Sequence, residues 1–359
     1  MAIFSAPGRC GLVGNPSDIY GGAVISCSTR ERAYAALEPA ESGLTVEVTG
    51  ESESVGTPEE LIVRGNHCDV AAAVIQFLLA CGRSDPPEEQ EFLRSLACGH
   101  LHEAVAFQAE RWAFSLRVWT ELPMQAGLGG SSTLLSATLG ALLHHFGVEL
   151  NRYQMAEVTR LVEARYMRVA CGYQDAYMSA FGYLNYMEFR GKERLAQTAD
   201  EPLAAVEPLC LDLHEMPIML AHTGVTRLSQ SVHIPIRQRW EQGEKQVVEG
   251  MARLRELATL AKKALLANGW ERLGDLMSEN HEIVRGLGGS AESNERLIKA
   301  ARDAGAWSAK LAGAGGGGTI VVLHPDRPRM MKALREAGAQ RFLFPTQSPG
   351  LRQEGATIG

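Results

Sequence analysis

The sequence predicts a globular chain of mixed helices and strands, folded as two domains around a glycine loop that opens a helix. Three observations carry that expectation. The chain has 359 residues, enough for two cores. Its apolar fraction of 45% and charged fraction of 21% are those of an ordinary globular protein. An alternating segment at 114–122 runs directly into Pro-Met-Gln-Ala-Gly-Leu-Gly-Gly-Ser-Ser (123–132). Leucines then recur at helical spacing to Phe146 and stop at Gly147.

In the loop, Gly127, Gly129 and Gly130 flank Leu128 and let the backbone approach a ligand closely. Ser131 reads as the N-cap of the helix, with Ser132 beside it. A glycine loop at a helix N-terminus offers unpaired amides and the positive end of the dipole, which is a phosphate site. No Lys precedes the serines, so the loop is not a Walker A. The alternative reading is a glycine-rich turn before a capped core helix.

Taken in order, Ser5-Ala-Pro-Gly-Arg9 and Gly14-Asn-Pro-Ser-Asp18-Ile-Tyr20 read as tight loops beside short strands, with Pro7 and Gly8 punctuating the chain. Arg9 and Asp18 are then either ligand contacts or a surface ion pair of little energetic worth. Strands are expected at 23–28, 32–37 and 44–48, with a polar loop at 51–60. Helices are expected at 70–80 and 88–97. The His100-x-His102 pair lacks a supporting carboxylate or Cys at ligand spacing and reads as a strand-edge accident. A helix at 154–169 carries Glu163, and Asp175 follows Gly172, so both carboxylates can face one cleft; a single Glu on a helix is more often solvated. A strand follows at 181–189, and the polar, proline-marked stretch 191–207 sets the domain boundary, 1–205 and 206–359.

The second half reads as a strand at 217–221, then Ser229–Trp240 containing Arg237 and Arg239 after Pro235. Helices are expected at 245–268, 270–285 and 293–304. Lys310-Leu-Ala-Gly313-Ala314-Gly315-Gly316-Gly-Gly leads into a buried strand at 319–323. Because this glycine run precedes a strand, it is not a dinucleotide loop, which comes after one. His281-Glu282 is not continued to a zinc-protease motif. Residues 346–359 read as a weakly ordered tail. The formal charge of −7 gives no support for nucleic acid or a membrane surface. Seven scattered cysteines without a CxxC pair and no apolar run of membrane length read as a cytoplasmic protein with reduced thiols.

Three segments in order, Ala-Pro-Gly-Arg with Gly-Asn-Pro-Ser-Asp (6–18), Pro-x-x-x-Gly-Leu-Gly-Gly-Ser-Ser (123–132) and Lys-Leu-Ala-Gly-Ala-Gly-Gly-Gly (310–317), resemble the three motifs of the GHMP kinase superfamily. The resemblance implies an α+β, two-domain fold. The N-terminal domain is ribosomal protein S5 domain 2-like and binds ATP; the C-terminal domain is ferredoxin-like. It implies ATP and Mg²⁺ in the cleft, phosphates over 127–132, Glu163 and Ser131 (or Ser132) on the metal, and Asp175 as catalytic carboxylate with Arg9 beside it. Asp18, Tyr20 and Gly313–Gly316 fall to the substrate side. Within the superfamily the chain resembles the glucuronokinases most, through Gly-Asn-Pro-Ser-Asp, Gly-x-Gly-Ser-Ser and Ser-Val-His-Ile-Pro-Ile-Arg-Gln-Arg-Trp (231–240).

The activity implied by the resemblance is phosphoryl transfer, mostly positioning and charge neutralisation, to the anomeric hydroxyl of glucuronate or a related uronic acid. Arg237 and Arg239, projecting together from an extended chain, are the expected carboxylate anchors, or else the solvated start of the next helix. The alternatives are a kinase for another sugar, a heptose phosphate or a mevalonate-type alcohol, a decarboxylase of the mevalonate-diphosphate type, and a non-catalytic sugar sensor. The expected state is a monomer or homodimer.

Overall fold

The computed structural model describes residues 2–83, 87–105, 109–196, 198, 200–209, 211, 216–226, 230–313 and 315–355. The first half contributes strands β1 (Ala2–Val13), β2 (Ala23–Pro39), β3 (Leu44–Val48) and β4 (Glu51–Val55), then helices α1 (Asp69–Gly82), α2 (Pro87–Ser95) and α3 (His100–Ala104). Strand β5 (Phe114–Thr120) leads to helices α4 (Gly130–Phe146), α5 (Arg152–Leu161) and α6 (Gln174–Phe181), and to strands β6 (Leu184–Glu188) and β7 (Ala205–Pro208). The second half runs β8 (Ile218–His222), α7 (Gln230–Glu241), α8 (Lys245–Leu266), α9 (Trp270–Gly286), α10 (Glu292–Asp303), β9 (Ser308–Leu311) and β10 (Thr319–Leu323). It closes with α11 (Arg327–Glu336), β11 (Arg341–Leu343) and β12 (Arg352–Gln353).

The strands form two sheets. The larger has the order β12-β1-β2-β5-β3-β4, with β6 on the first part of β2 and β7 beyond it; the smaller has the order β11-β8-β10-β9. This is the α+β arrangement in two halves that the sequence leads one to expect. Apolar side chains segregate into three cores. One lies between the large sheet and α1, α4, α5 and α6; another lies behind the small sheet, under α10 and α11. The third joins the halves: Leu12 and Ile25 of the large sheet, Leu254 and Leu257 of α8, Met277 of α9 and Val321 of the small sheet share it.

Several sequence expectations are corrected. Pro7 and Gly8 do not punctuate the chain, because β1 runs through them and its register against β2 slips between Pro7 and Arg9. Such an irregularity tolerates a residue without an N–H, and it leaves Arg9 on a strand instead of a loop. The segments 23–28 and 32–37 are one strand. The polar stretch after β3 is β4, an edge strand whose alternating exposure hides its hairpin from a hydrophobicity reading. His102 lies on α3, its Nδ1 2.8 Å from the Cys81 carbonyl oxygen. Pro235 lies inside α7 instead of ending it, as burial of Val232 and Ile236 in the shared core outweighs local propensity.

The tail expected at 346–359 is ordered through residue 355, and 356–359 lie outside the described residues. Arg32, 3% exposed, donates to Ser348 Oγ and to the carbonyls of Ser5, Pro349 and Gly350, and β12 pairs with β1. A single cut after residue 205 therefore leaves β7 and β12 on the first sheet. Arg32→Leu strips donors from buried carbonyls. It is expected to lower the unfolding free energy by about 3 kcal/mol, the scale of charged hydrogen bonds lost with their partners stranded, measurable by urea denaturation.

Candidate active site

Arg9 joins the segments that the sequence leaves far apart. Its backbone N–H donates to the Leu128 carbonyl at 2.9 Å, and its Nη1 donates to the Gly127 carbonyl at 2.5 Å. Its Nε and Nη2 lie 2.7 and 2.6 Å from Asp175 Oδ1. Two residues on, the Gly11 N–H donates to the Ala312 carbonyl at 2.8 Å. Phosphate loop, acidic helix and second glycine loop thus meet around one strand. The meeting is tight: a Cβ on Gly313 would lie 2.4 Å from the Gly127 carbonyl oxygen. Gly129 takes φ +74° with the Asp175 carboxyl behind it, a conformation and a space that suit glycine.

Helix α4 begins at Gly130 with Gly129 as its cap, so Ser131 lies in the first turn and is not the N-cap. The loop amides and the helix N-terminus face the cleft as a phosphate cradle requires. Ser132 Oγ donates to Glu163 Oε2 at 2.5 Å, while Ser131 Oγ is buried with no hydrogen-bond partner. Glu163 is reached because the helix begun at Arg152 widens into a π turn over Val162–Tyr166, a distortion frequent at functional sites. Burial pushes the Glu163 carboxyl up, and the nearby Asp175 charge adds to it; the Ser132 hydrogen bond and, more weakly, the nearby Ser131 hydroxyl, outside hydrogen-bond geometry, oppose the shift. A buried carboxylate beside an unpartnered hydroxyl fits a Mg²⁺ ion, which takes few protein oxygens and fills its shell from phosphates and water. Among the described residues no cluster of three His, Cys, Asp or Glu offers another metal site.

Asp18 turns inward. Its Oδ2 accepts the N–H groups of Tyr173 and Gln174 at 3.0 and 3.1 Å, pinning the start of the helix that carries Asp175. A Cβ on Gly172 would lie 2.1 Å from that oxygen. Burial first, and the Asp175 charge next among the influences in that direction, push the Asp18 carboxyl up to about 6 against the pull of the backbone donors. From behind, Lys192 at 2.9 Å from Glu157 and 3.1 Å from Glu201 braces the same helix, because those carboxylates accept the Tyr177 and Tyr173 hydroxyls.

The glycine loop after β9 and the loop after β1 are held by Asn294 and Asn280, which no sequence motif marks, and by Lys310 at the head of the third motif. Asn294 accepts from the Gly317 N–H at 2.8 Å and donates back to its carbonyl at 3.2 Å. Asn280 does the same for Gly14 N–H and the Asn15 carbonyl, at 2.7 and 3.1 Å. Lys310, fully buried, donates to the Gly11 carbonyl at 3.1 Å and to Asn15 Oδ1 at 2.9 Å; burial lowers its ammonium to about 7. Gly316 donates to the Gly289 carbonyl at 3.0 Å, and a Cβ on Gly315 would strike that carbonyl. Ala314 lies outside the described residues.

A cavity of about 490 Å³ opens between the 160–172 segment and α7, with Ile19 and Gly172, the latter packed against Asp18, on its wall. Arg160, Arg168 and Arg237 line it, with His233 and, among the described residues, a single carboxylate, Glu241. The anchor reading of Arg237 and Arg239 is corrected here, because they lie on a helix and each of their guanidinium nitrogens already donates to a protein acceptor. Arg237 binds Glu241 and the carbonyls of Ile19 and Glu193, and its guanidinium covers the Trp240 ring at 4.6 Å. Arg239 binds Glu244 and the Leu287 carbonyl, and it is not on the cavity wall. Tyr20 is buried against Trp240, its hydroxyl without a partner. Arg168 escapes the sequence reading, since it stands in no quoted motif; His233 lies inside the 231–240 segment, but nothing there singles it out. Burial lowers the His233 imidazole to about 4, and Asp175 and Arg9 are the charges it feels.

The sequence matches the family model for the GHMP kinases N terminal domain over residues 94–183, which include the phosphate loop, Glu163 and Asp175. It matches the GHMP kinases C terminal model over residues 261–340, which include the second glycine loop. The chain belongs to the GHMP kinase superfamily. It is 28% identical to a mevalonate kinase of Pyrococcus horikoshii over 98% of this chain and 97% of that one. It is also 28% identical to glucuronokinase 1 of Arabidopsis thaliana, over 91% of this chain and 86% of that one. A D-glycero-D-manno-heptose 1-phosphate kinase from Bacteroides thetaiotaomicron shares the fold with a TM-score of 0.72 at 20% identity, covering 99% of this chain and 100% of that one. The kinases of this superfamily use ATP as co-substrate and an alcohol as acceptor.

This geometry makes the metal and pH responses testable. Ser131→Ala and Glu163→Gln are each expected to raise the Mg²⁺ concentration for half-maximal rate severalfold. Ser132→Ala acts only by freeing Glu163 and is expected to do less; a larger shift in Ser132→Ala would exchange the two serine roles. Asp18 is ionised above about pH 6 and protonated below it, where it loses acceptor capacity for the α6 amides. The pH profile of kcat/KM is therefore expected to rise through about 6, and Asp18→Asn to remove that limb.

Proposed function

We propose that this chain transfers the γ-phosphoryl group of ATP to the anomeric hydroxyl of a uronic acid. The observation that carries the reading is an arginine-lined cavity whose wall includes Gly172, against Asp18 and three residues before Asp175, with its one carboxylate among the described residues already bound to Arg237. A sugar whose acceptor oxygen meets Asp175 extends its far end among positive charges. The similarity to a plant glucuronokinase supports the same substrate class.

In this mechanism the loop amides over 127–132 and the N-terminus of α4 hold the phosphates. Asp175 accepts the proton of the sugar hydroxyl as its oxygen attacks the γ-phosphorus and ADP leaves. Arg9, bridging Asp175 and the Gly127 carbonyl, fixes the carboxylate against the loop and offsets charge on the transferred group. Glu163 and Ser131 would hold Mg²⁺, which neutralises phosphate charge when bound. His233, neutral at assay pH, hydrogen-bonds sugar hydroxyls beside Asp175.

A second reading has its own support. The mevalonate kinase similarity spans nearly the whole chain, and mevalonate is likewise a carboxylate with a primary alcohol. Substrate-dependent ADP release with glucuronate, galacturonate, glucose, a heptose phosphate and mevalonate separates the readings. Glucuronate or galacturonate should give the highest kcat/KM; a higher value for mevalonate replaces the uronic acid reading with the second. With the preferred substrate, Asp175→Asn is expected to lower kcat by roughly 10²–10⁴-fold while ATP binding persists. Near-normal turnover in that variant removes Asp175 from the chemistry.

A further inference from the structure

The three arginines of the cavity are not equivalent. Arg160 is 2% exposed, with its guanidinium 4.9 Å above the Tyr173 ring, so it belongs to the packing under α6. Arg237 spends its donors on Glu241 and on the carbonyls of Ile19 and Glu193. Arg168 is exposed, and no hydrogen bond or ion pair among the described residues engages its guanidinium.

Its backbone is unusual as well. Arg168 takes φ +57°, a left-handed conformation that residues with a side chain seldom adopt. The strain has a structural cause. The Val169 N–H donates to the Glu163 carbonyl at 3.1 Å, closing the chain after the π turn and turning residue 168 at the cavity wall. The same wall continues through Cys171 and Gly172 to Asp18 and, across on α7, to His233, which feels the Asp175 charge. A cation with no internal partner among the described residues thus stands on the wall of a space whose lining reaches Gly172, three residues before Asp175. The one described acid on that wall, Glu241, is 2.7 Å from Arg237 and does not compete for it.

We infer that Arg168 is the specificity-determining residue of this site, pairing with the anionic group of the acceptor substrate at the end remote from the phosphorylated hydroxyl. A guanidinium suits either a carboxylate or a phosphate ester through a two-pronged hydrogen bond. The inference rests on the reading of the site as one for an acidic sugar, and it assigns recognition to a residue outside all three sequence motifs.

The test compares kcat/KM for glucuronate, glucose and glucose 6-phosphate in wild type, Arg168→Met, Arg168→Lys and Arg237→Met. Arg168→Met is expected to lose about 10- to 100-fold on the preferred acid, the scale of a charged hydrogen bond. The loss should lie in KM, with kcat and the glucose value within about twofold of wild type and with an unchanged melting temperature, since the side chain is exposed. Arg168→Lys should recover part of the loss, and Arg237→Met should change acid and neutral sugar alike. Equal losses on acid and glucose in Arg168→Met, or no loss on the acid, overturn the assignment. If glucose 6-phosphate is the preferred acid and shows the same dependence, Arg168 stands and the uronic acid reading falls. If wild type prefers glucose to both acids, the two fall together.

Discussion

One guanidinium sets the geometry of the cleft. Arg9 is attached to β1 at a point where the strand slips register, and from there it fixes the Gly127 carbonyl on one side and Asp175 on the other. The phosphate loop is further tied to the same residue by its backbone, through the Leu128 carbonyl. Displacing this side chain would separate loop from carboxylate and leave a carbonyl and an acid facing each other. The remaining devices act around that point. Asp18 and the Lys192 network hold α6 from two directions, and Asn280 and Asn294 hold the loops that close the far side.

The electrostatics arise from the same crowding. Asp18, Glu163 and Asp175 lie close enough that Asp175 raises both of the others, and burial raises them more. Arg9 alone cannot satisfy three carboxyl groups while also serving the loop. The site is thus arranged to gain from cationic and phosphate-bearing ligands that arrive together, whereas a neutral molecule relieves none of this repulsion.

Much of this is legible in the sequence where local pattern and function coincide. The α4 helix carries its leucine period and its glycine boundaries in plain view, whereas Glu163 and Asp175 stand out only through the family resemblance, since a single Glu on a helix is more often solvated. Arg9 is legible as a candidate but not as part of a strand, because Pro7-Gly8 looks like a break until the slipped register accommodates it. Arg237 and Arg239 mislead for the converse reason: Pro235 looks like a helix stop, yet Val232 and Ile236 gain more from the shared core than the helix loses. Asn280, Asn294 and Lys310 act on carbonyls and amides distant in the chain, and no periodicity records such partners. The ordered segment after 346 is similar, since its donors come from Arg32 on β2.

The core shared by both sheets limits how far the two halves part. Swinging the halves apart would drag Leu12 and Ile25 from the side chains of α8, α9 and the small sheet. Exposing about 400 Å² of such surface costs roughly 10 kcal/mol, so an arrangement with the halves apart is only rarely populated. Substrate and product therefore meet the joined arrangement of the two halves for nearly all of each cycle, with the shared core acting as a latch between them.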